Sequence, residues 1–98
     1  MIKHVILFKM KEENKEKNSR ELVKQLRGLK EQIGQVREMQ AGVNISKSPS
    51  AYDVGMYSVF ANQEDLQAYR ERKEHRDVLD FIKKTAEDLH VVDYEDGE

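Results

Sequence analysis

Ile2-Lys3-His4-Val5-Ile6-Leu7-Phe8-Lys9-Met10 is the stretch that decides the fold. Val5, Ile6, Leu7 and Phe8 are consecutive residues with good strand propensity. Side chains alternate across a strand. Ile2, His4, Ile6, Phe8 and Met10 therefore share one face, and Lys3, Val5, Leu7 and Lys9 share the other. Both faces are apolar in the middle, the pattern of a central strand covered on both sides. The rest of the chain has to supply those two layers.

Downstream, the charged segment Lys11–Lys17 reads as a loop. Asn18 or Ser19 then offers a helix cap, and Asn18 with Glu21 has the spacing of a capping box. Leu22, Leu26, Leu29 and Ile33 follow at i, i+4, i+7 and i+11, one stripe of an amphipathic helix, and Gly34 is placed to stop it. Met39–Lys47 alternates as a second strand, with Met39, Ala41, Val43 and Ile45 on one face. Ser48-Pro49-Ser50 marks a turn, and Tyr52–Phe60 is the third strand. Asn62 caps a second helix whose first turn carries Glu64 and Asp65, a favourable placement against the helix dipole. The run Arg70-Glu71-Arg72-Lys73-Glu74 can interrupt this helix, and helical spacing resumes through His75, Leu79, Ile82, Ala86 and Leu89. Val91–Glu95 closes the pattern as a short strand, and Asp96-Gly97-Glu98 is expected to fray.

The order β-α-β-β-α-β belongs to the α+β class. Two βαβ units fused by a hairpin make a ferredoxin-like split βαβ sandwich, read here as one domain over residues 1–98. Right-handed crossovers place both helices on one face of a four-stranded antiparallel sheet. The opposite face is bare in a lone chain, although the outward residues of the first and third strands are partly apolar. An exposed apolar face of that size marks an interface. The expectation is a homodimer, two sheets packed face to face about a twofold axis.

Composition narrows the rest. Leu, Ile, Val and Phe total 24 of 98 residues, above the ~20% level below which disorder is expected. There is no cysteine, which removes disulfides, thiolate nucleophiles and Cys-containing zinc sites. The apolar run Val5–Phe8 is too short for a signal-peptide core or a membrane span, so the reading is a soluble cytoplasmic protein without membrane contact. Residues 1–49 carry eleven Lys/Arg against six Asp/Glu, and residues 50–98 carry six against thirteen. The basic residues, Lys24, Arg27 and Lys30 among them, lie on a solvated helix face with no aromatic interleaved. Mutual attraction of the two halves explains the asymmetry without a nucleic-acid partner. His4, His75 and His90 lack metal-ligand spacing, and there is no phosphate loop or serine elbow, so no metal or cofactor is expected. The strand-end carboxylates Asp53, Asp93 and Asp96 read as solvated. His90 reads as a cation at the end of the last helix.

Several segments together resemble the stress-responsive A/B barrel (Dabb) domains. They are Ile2–Lys9, Ala41-Gly42-Val43-Asn44-Ile45-Ser46, Tyr52-Asp53-Val54, Asp65-Leu66-Gln67-Ala68-Tyr69 with His75 six residues later, and Val92-Asp93-Tyr94. The resemblance spans nearly the whole chain and implies a dimeric α/β barrel. The family's His-Pro-x-His segment stands here as Arg72-Lys73-Glu74-His75, so the first histidine and the proline are replaced. A polyketide cyclase of the family, which needs no cofactor, uses a histidine and a tyrosine at positions that match His75 and Tyr69, with a pocket histidine matching His4. By that resemblance, His75 is the candidate base and Tyr69 the candidate donor. His4, Ile6, Phe8, Leu26 and Met56 are the candidate lining of a cavity between sheet and helices. Two functions are open at this point. One is a stress-associated homodimer that binds a small apolar ligand. The other is a cofactor-free enzyme of carbonyl acid/base chemistry.

Overall fold

The computed structural model describes residues 1–97. Its elements are β1 (Ile2–Met10), α1 (Lys15–Gln32), β2 (Glu38–Val43), β3 (Val54–Phe60), α2 (Gln63–Glu71), α3 (Lys73–Thr85) and β4 (Ala86–Glu95). The sheet order is β2-β3-β1-β4 with every pair antiparallel, the ferredoxin-like arrangement. β1 is central, as its two apolar faces require. The helices cover the face carrying Ile2, His4, Phe8 and Met10, all buried. From α1, Leu22, Val23, Leu26 and Leu29 pack down onto this face, and Val78 and Ile82 come from α3.

The other face of β1 stays open. Leu7 and Val92 are 46% and 58% exposed, and they lie there with Val5, Tyr57 and Tyr94. Gly42 sits opposite Gly55 on this face, and a Cβ at either would meet nothing within 4 Å. The centre of this surface is apolar, with a shallow concavity at the two glycines.

Four boundaries differ from the sequence reading. First, α1 starts at Lys15, three residues before the expected cap. Lys and Glu are good helix formers, and Asn14, in the left-handed region at φ 56°, turns the chain into the helix without a side-chain cap. Ser19 is a buried residue of the helix and not its cap. At the other end Ile33 turns extended, and Gly34 adopts no left-handed conformation.

Second, β2 ends at Val43 and Ile45 is 97% exposed. Asn44 is the reason. Its Nδ2 donates to the Tyr52 carbonyl at 2.5 Å and its Oδ1 accepts from the Ser46 amide at 2.7 Å, local bonds that replace the ladder. β3 correspondingly begins at Val54. Third, α3 ends at Thr85 and β4 runs for ten residues from Ala86. Ala86 and Leu89 have helical spacing, whereas Leu89, Val91 and Asp93 alternate as a strand, and pairing along nearly all of β1, with a register shift opposite Met10, decides for the strand. His90 is thus a strand residue opposite Leu7, not a helix-end cation. Fourth, the tail is tied back, because Asp96 and Met1 exchange backbone hydrogen bonds at 2.9 Å. The last residue of the expected frayed tail, Glu98, lies outside the described residues.

Asn62 caps α2 as its sequence position predicts, its Oδ1 accepting from the Asp65 amide at 2.8 Å. The charged run does break the helix. Arg72 sits between α2 and α3 with extended backbone at φ −72°, ψ 144°. Among the described residues no helix is long and apolar enough to cross a membrane.

Candidate functional site

A cavity of about 300 Å³ opens between the sheet and the helices. Its floor is the inner face of β1 and β3: His4, Ile6, Phe8 and Met56. Leu26 closes it from α1, and Val78, Leu79 and Ile82 close it from α3. Leu89 and Val91 line the β4 side and are exposed, so the mouth lies there. Leu22 and Leu29, from the same α1 stripe as Leu26, are buried in the core away from the cavity.

Tyr69, Arg70 and His75 gather at one end. Tyr69 is the last core-facing residue of α2, and His75 sits in the first turn of α3. The break at Arg72 reorients α3 so that the two rings meet with centroids 4.5 Å apart. Tyr69 also packs on Phe60 at 4.8 Å and, edge to face, on His4 at 6.4 Å. The site is therefore an aromatic cluster facing an otherwise aliphatic chamber.

Electrostatics give each group a state. Burial pushes the Tyr69 phenol well above its ordinary value, an effect the Arg70 charge opposes only weakly, so the hydroxyl stays protonated. Desolvation lowers His75 below its usual 6.5, opposed in part by the Arg70 backbone and reinforced by the charges of His4 and Arg70. Its imidazole is neutral at pH 7. The Nδ1 atom of His75 is buried and has no hydrogen-bond partner among the described residues. A buried polar atom left unpaired costs about 1–3 kcal/mol.

His4 is 4% exposed, and its Nδ1 is hydrogen-bonded to Oδ1 of Asp93, its cross-strand neighbour on β4. The other oxygen of Asp93 accepts from Arg70 Nη2 at 2.8 Å. Asp93 is not a solvated strand-end carboxylate, because it links a buried histidine to an arginine of α2. Asp53 is likewise committed, accepting from the Met10 amide at 2.7 Å. Arg27, one of the basic α1 residues, donates to the Ala41 carbonyl at 3.0 Å. The sequence marks Asp93 only as a strand-end carboxylate and Arg70 only as part of a charged run. The signal for Asp93 was its strand alternation with Leu89 and Val91. For Arg70 there was none beyond its position next to Tyr69.

The family model for the stress responsive A/B barrel domain matches residues 2–96. The chain belongs to that family.

This A/B barrel domain is also similar to solved structures. A dimeric protein of unknown function and ferredoxin-like fold from Bacteroides fragilis is 26% identical with a TM-score of 0.86, over 96% of this chain and 94% of the other. A dimeric ferredoxin-like protein from Thermobifida fusca, also of unknown function, is 19% identical with a TM-score of 0.84, over 95% of this chain and 88% of the other. Hydroxynitrile lyase from Passiflora edulis is 13% identical with a TM-score of 0.86, over 99% of this chain and 94% of the other, and shares the fold. No curated protein sequence matches the chain. Among the described residues of the A/B barrel domain, no group of three or more His, Asp or Glu side chains is placed to hold a metal ion.

Proposed function

We propose that this A/B barrel domain acts as a homodimer and that its cavity takes a small, mainly apolar molecule with one polar end. The observation that carries the reading is the cavity itself. Its walls are largely apolar, its volume of about 300 Å³ stands at the small end of ligand sites, and its polar groups, Tyr69, Arg70 and His75, converge at one end. The ligand's polar end would lie against Tyr69, Arg70 and His75, while its apolar part would gain from burial among Leu26, Met56 and Ile82. The open sheet face supports the dimer, since Leu7, Val92 and Tyr94 form an exposed apolar surface. The Bacteroides fragilis and Thermobifida fusca relatives are dimeric.

A second reading rests on the protonation states. His75, neutral at pH 7, is a base, and Tyr69, protonated, is a donor beside it. In cofactor-free carbonyl chemistry, the base takes a proton from the carbon beside a carbonyl. The C–H electron pair becomes the enolate, and the phenol holds the developing oxyanion. That the shared fold also hosts a hydroxynitrile lyase is consistent with acid/base catalysis on such a scaffold.

One probe tests both. Acetophenone is titrated into the protein and followed by NMR. Binding at the cavity moves the signals of His75, Tyr69, Leu26 and Met56 and leaves the open sheet face unmoved. Shifts scattered over the surface, or none, overturn the ligand reading. The same sample in deuterium oxide reports chemistry. Protein-dependent exchange of the acetophenone methyl protons, lost in His75→Gln, supports the enzyme. Binding with no exchange above buffer leaves ligand binding alone.

A further inference from the structure

The Arg70–Asp93 ion pair stands between two cavities. On its inner side is the chamber described above. On its outer side, between α2 and the end of β4, lies a second cavity of about 380 Å³. Buried Ile2 and Leu66 contribute an apolar floor there, and Gln63, Gln67 and Glu95 a polar rim. Arg70 lines both cavities.

The two halves of the pair are held unequally. Asp93 is fixed in β4 and committed to the buried His4. Arg70 projects from the last turn of α2 with its side chain 41% exposed, and its one side-chain hydrogen bond among the described residues is that to Asp93. Exposed ion pairs of this kind are weak, and a long arginine side chain swings into water at little cost. Arg70 is the side chain that the two linings share.

We propose that the two cavities are one elongated binding site and that Arg70 is its removable partition, setting the length of ligand the site accepts. The ligand class is then a small apolar group on a chain that continues past Arg70, where Ile2 and Leu66 carry its apolar atoms and Gln63 and Gln67 meet a polar end. This inference rests on the ligand reading above and adds the outer subsite and the residue that controls it.

The test uses straight-chain alcohols from butan-1-ol to decan-1-ol, titrated against wild type, Arg70→Ala and, as a charge-matched control, Arg76→Ala. Neutral probes keep the lost arginine charge from altering affinity by itself. Each methylene buried raises affinity about fourfold. The expected result is that wild type and Arg76→Ala gain with chain length and level off once the inner chamber is filled. Arg70→Ala continues to gain with longer members, and their chemical-shift changes extend to Leu66 and Gln67. Levelling at the same alcohol in all three proteins overturns the partition while leaving the ligand reading in place. Failure of every alcohol to bind any of the three overturns both.

Discussion

Asp93 is where stability and site geometry can be separated most cleanly. Replacing it with alanine removes two contacts of very different value. The first is to His4, which is buried; taking away its acceptor leaves an imidazole nitrogen unpaired in the interior, a loss of about 1–3 kcal/mol. The second is to Arg70, whose side chain is 41% exposed, so the pair is discounted to about 0.2–1 kcal/mol. Asp93→Ala should therefore cost roughly 1–4 kcal/mol in total. Arg70→Ala should cost less than about 1 kcal/mol, and almost nothing in an Asp93→Ala background, because its partner is already gone. Asp93→Asn separates acceptor from charge. The amide oxygen still accepts from His4 while the attraction to Arg70 falls, so the loss should stay within about 1 kcal/mol. Urea unfolding of the four variants against wild type measures this, and in a chain of this size about 1 kcal/mol moves the melting temperature by ~4–8 °C. The reasoning is refuted if Asp93→Asn is as damaging as Asp93→Ala, or if Arg70→Ala alone costs as much as Asp93→Ala.

Three further outcomes concern other parts of the molecule. His75 has a folded pKa below its unfolded 6.5, so between the two values the unfolded chain holds more protons. Its contribution is thus complete above pH 6.5 and is lost as pH falls towards the folded value, and urea midpoints measured across that range should decline less steeply in His75→Gln than in wild type. Leu7→Lys and Val92→Lys each place a charge on the open sheet face without touching the core. Sedimentation should show loss of the dimer with an unchanged far-ultraviolet spectrum, and a dimer that persists in both would remove the face-to-face arrangement. Asn62→Ala deletes the cap on the Asp65 amide and should lower stability by about 1 kcal/mol in denaturant unfolding, whereas Asn62→Asp, which keeps the acceptor, should be close to neutral.

What was legible in the sequence follows from how local each signal is. The two-faced pattern of Ile2–Met10 puts apolar residues on both sides of the strand, so it found the central strand, although one of those faces is open in the single chain. The Leu22-Leu26-Leu29 stripe reports one packed face, so it found α1. Boundaries were misread wherever a competing local interaction decided them: the left-handed Asn14 at the start of α1, and the Asn44 side chain at the end of β2. Leu89 and His90 were misplaced because a three-residue spacing from Ala86 fits a helix and alternation fits a strand. Only the pairing of Phe8 with Leu89 and of Leu7 with His90 resolves it, and that is a long-range fact. Asp93 escaped for the same reason. Nothing near it in the chain reveals a histidine 89 residues away.

The helix break is the step on which the rest of the site depends. Six residues of continuous helix would turn Tyr69 and His75 about 120° apart, one facing the core and the other the flank. Arg72 in extended conformation resets that phase, and the rings come to 4.5 Å. The segment does this without a proline. Arg72 holds the corner through its own side chain, which reaches the Gln32 carbonyl at the end of α1 at 3.4 Å and Glu74 at 3.2 Å. A guanidinium that satisfies an orphan carbonyl of one helix and an acidic residue in the first turn of the next ties both to the corner. Arg70, one residue after Tyr69 and still within α2, faces β4 and meets Asp93 there. The turn at Arg72 therefore assembles the Tyr69–His75 pair, while α2 itself sets the Arg70–Asp93 pair. A change that re-forms a continuous helix there would separate the two rings and leave the ion pair in place.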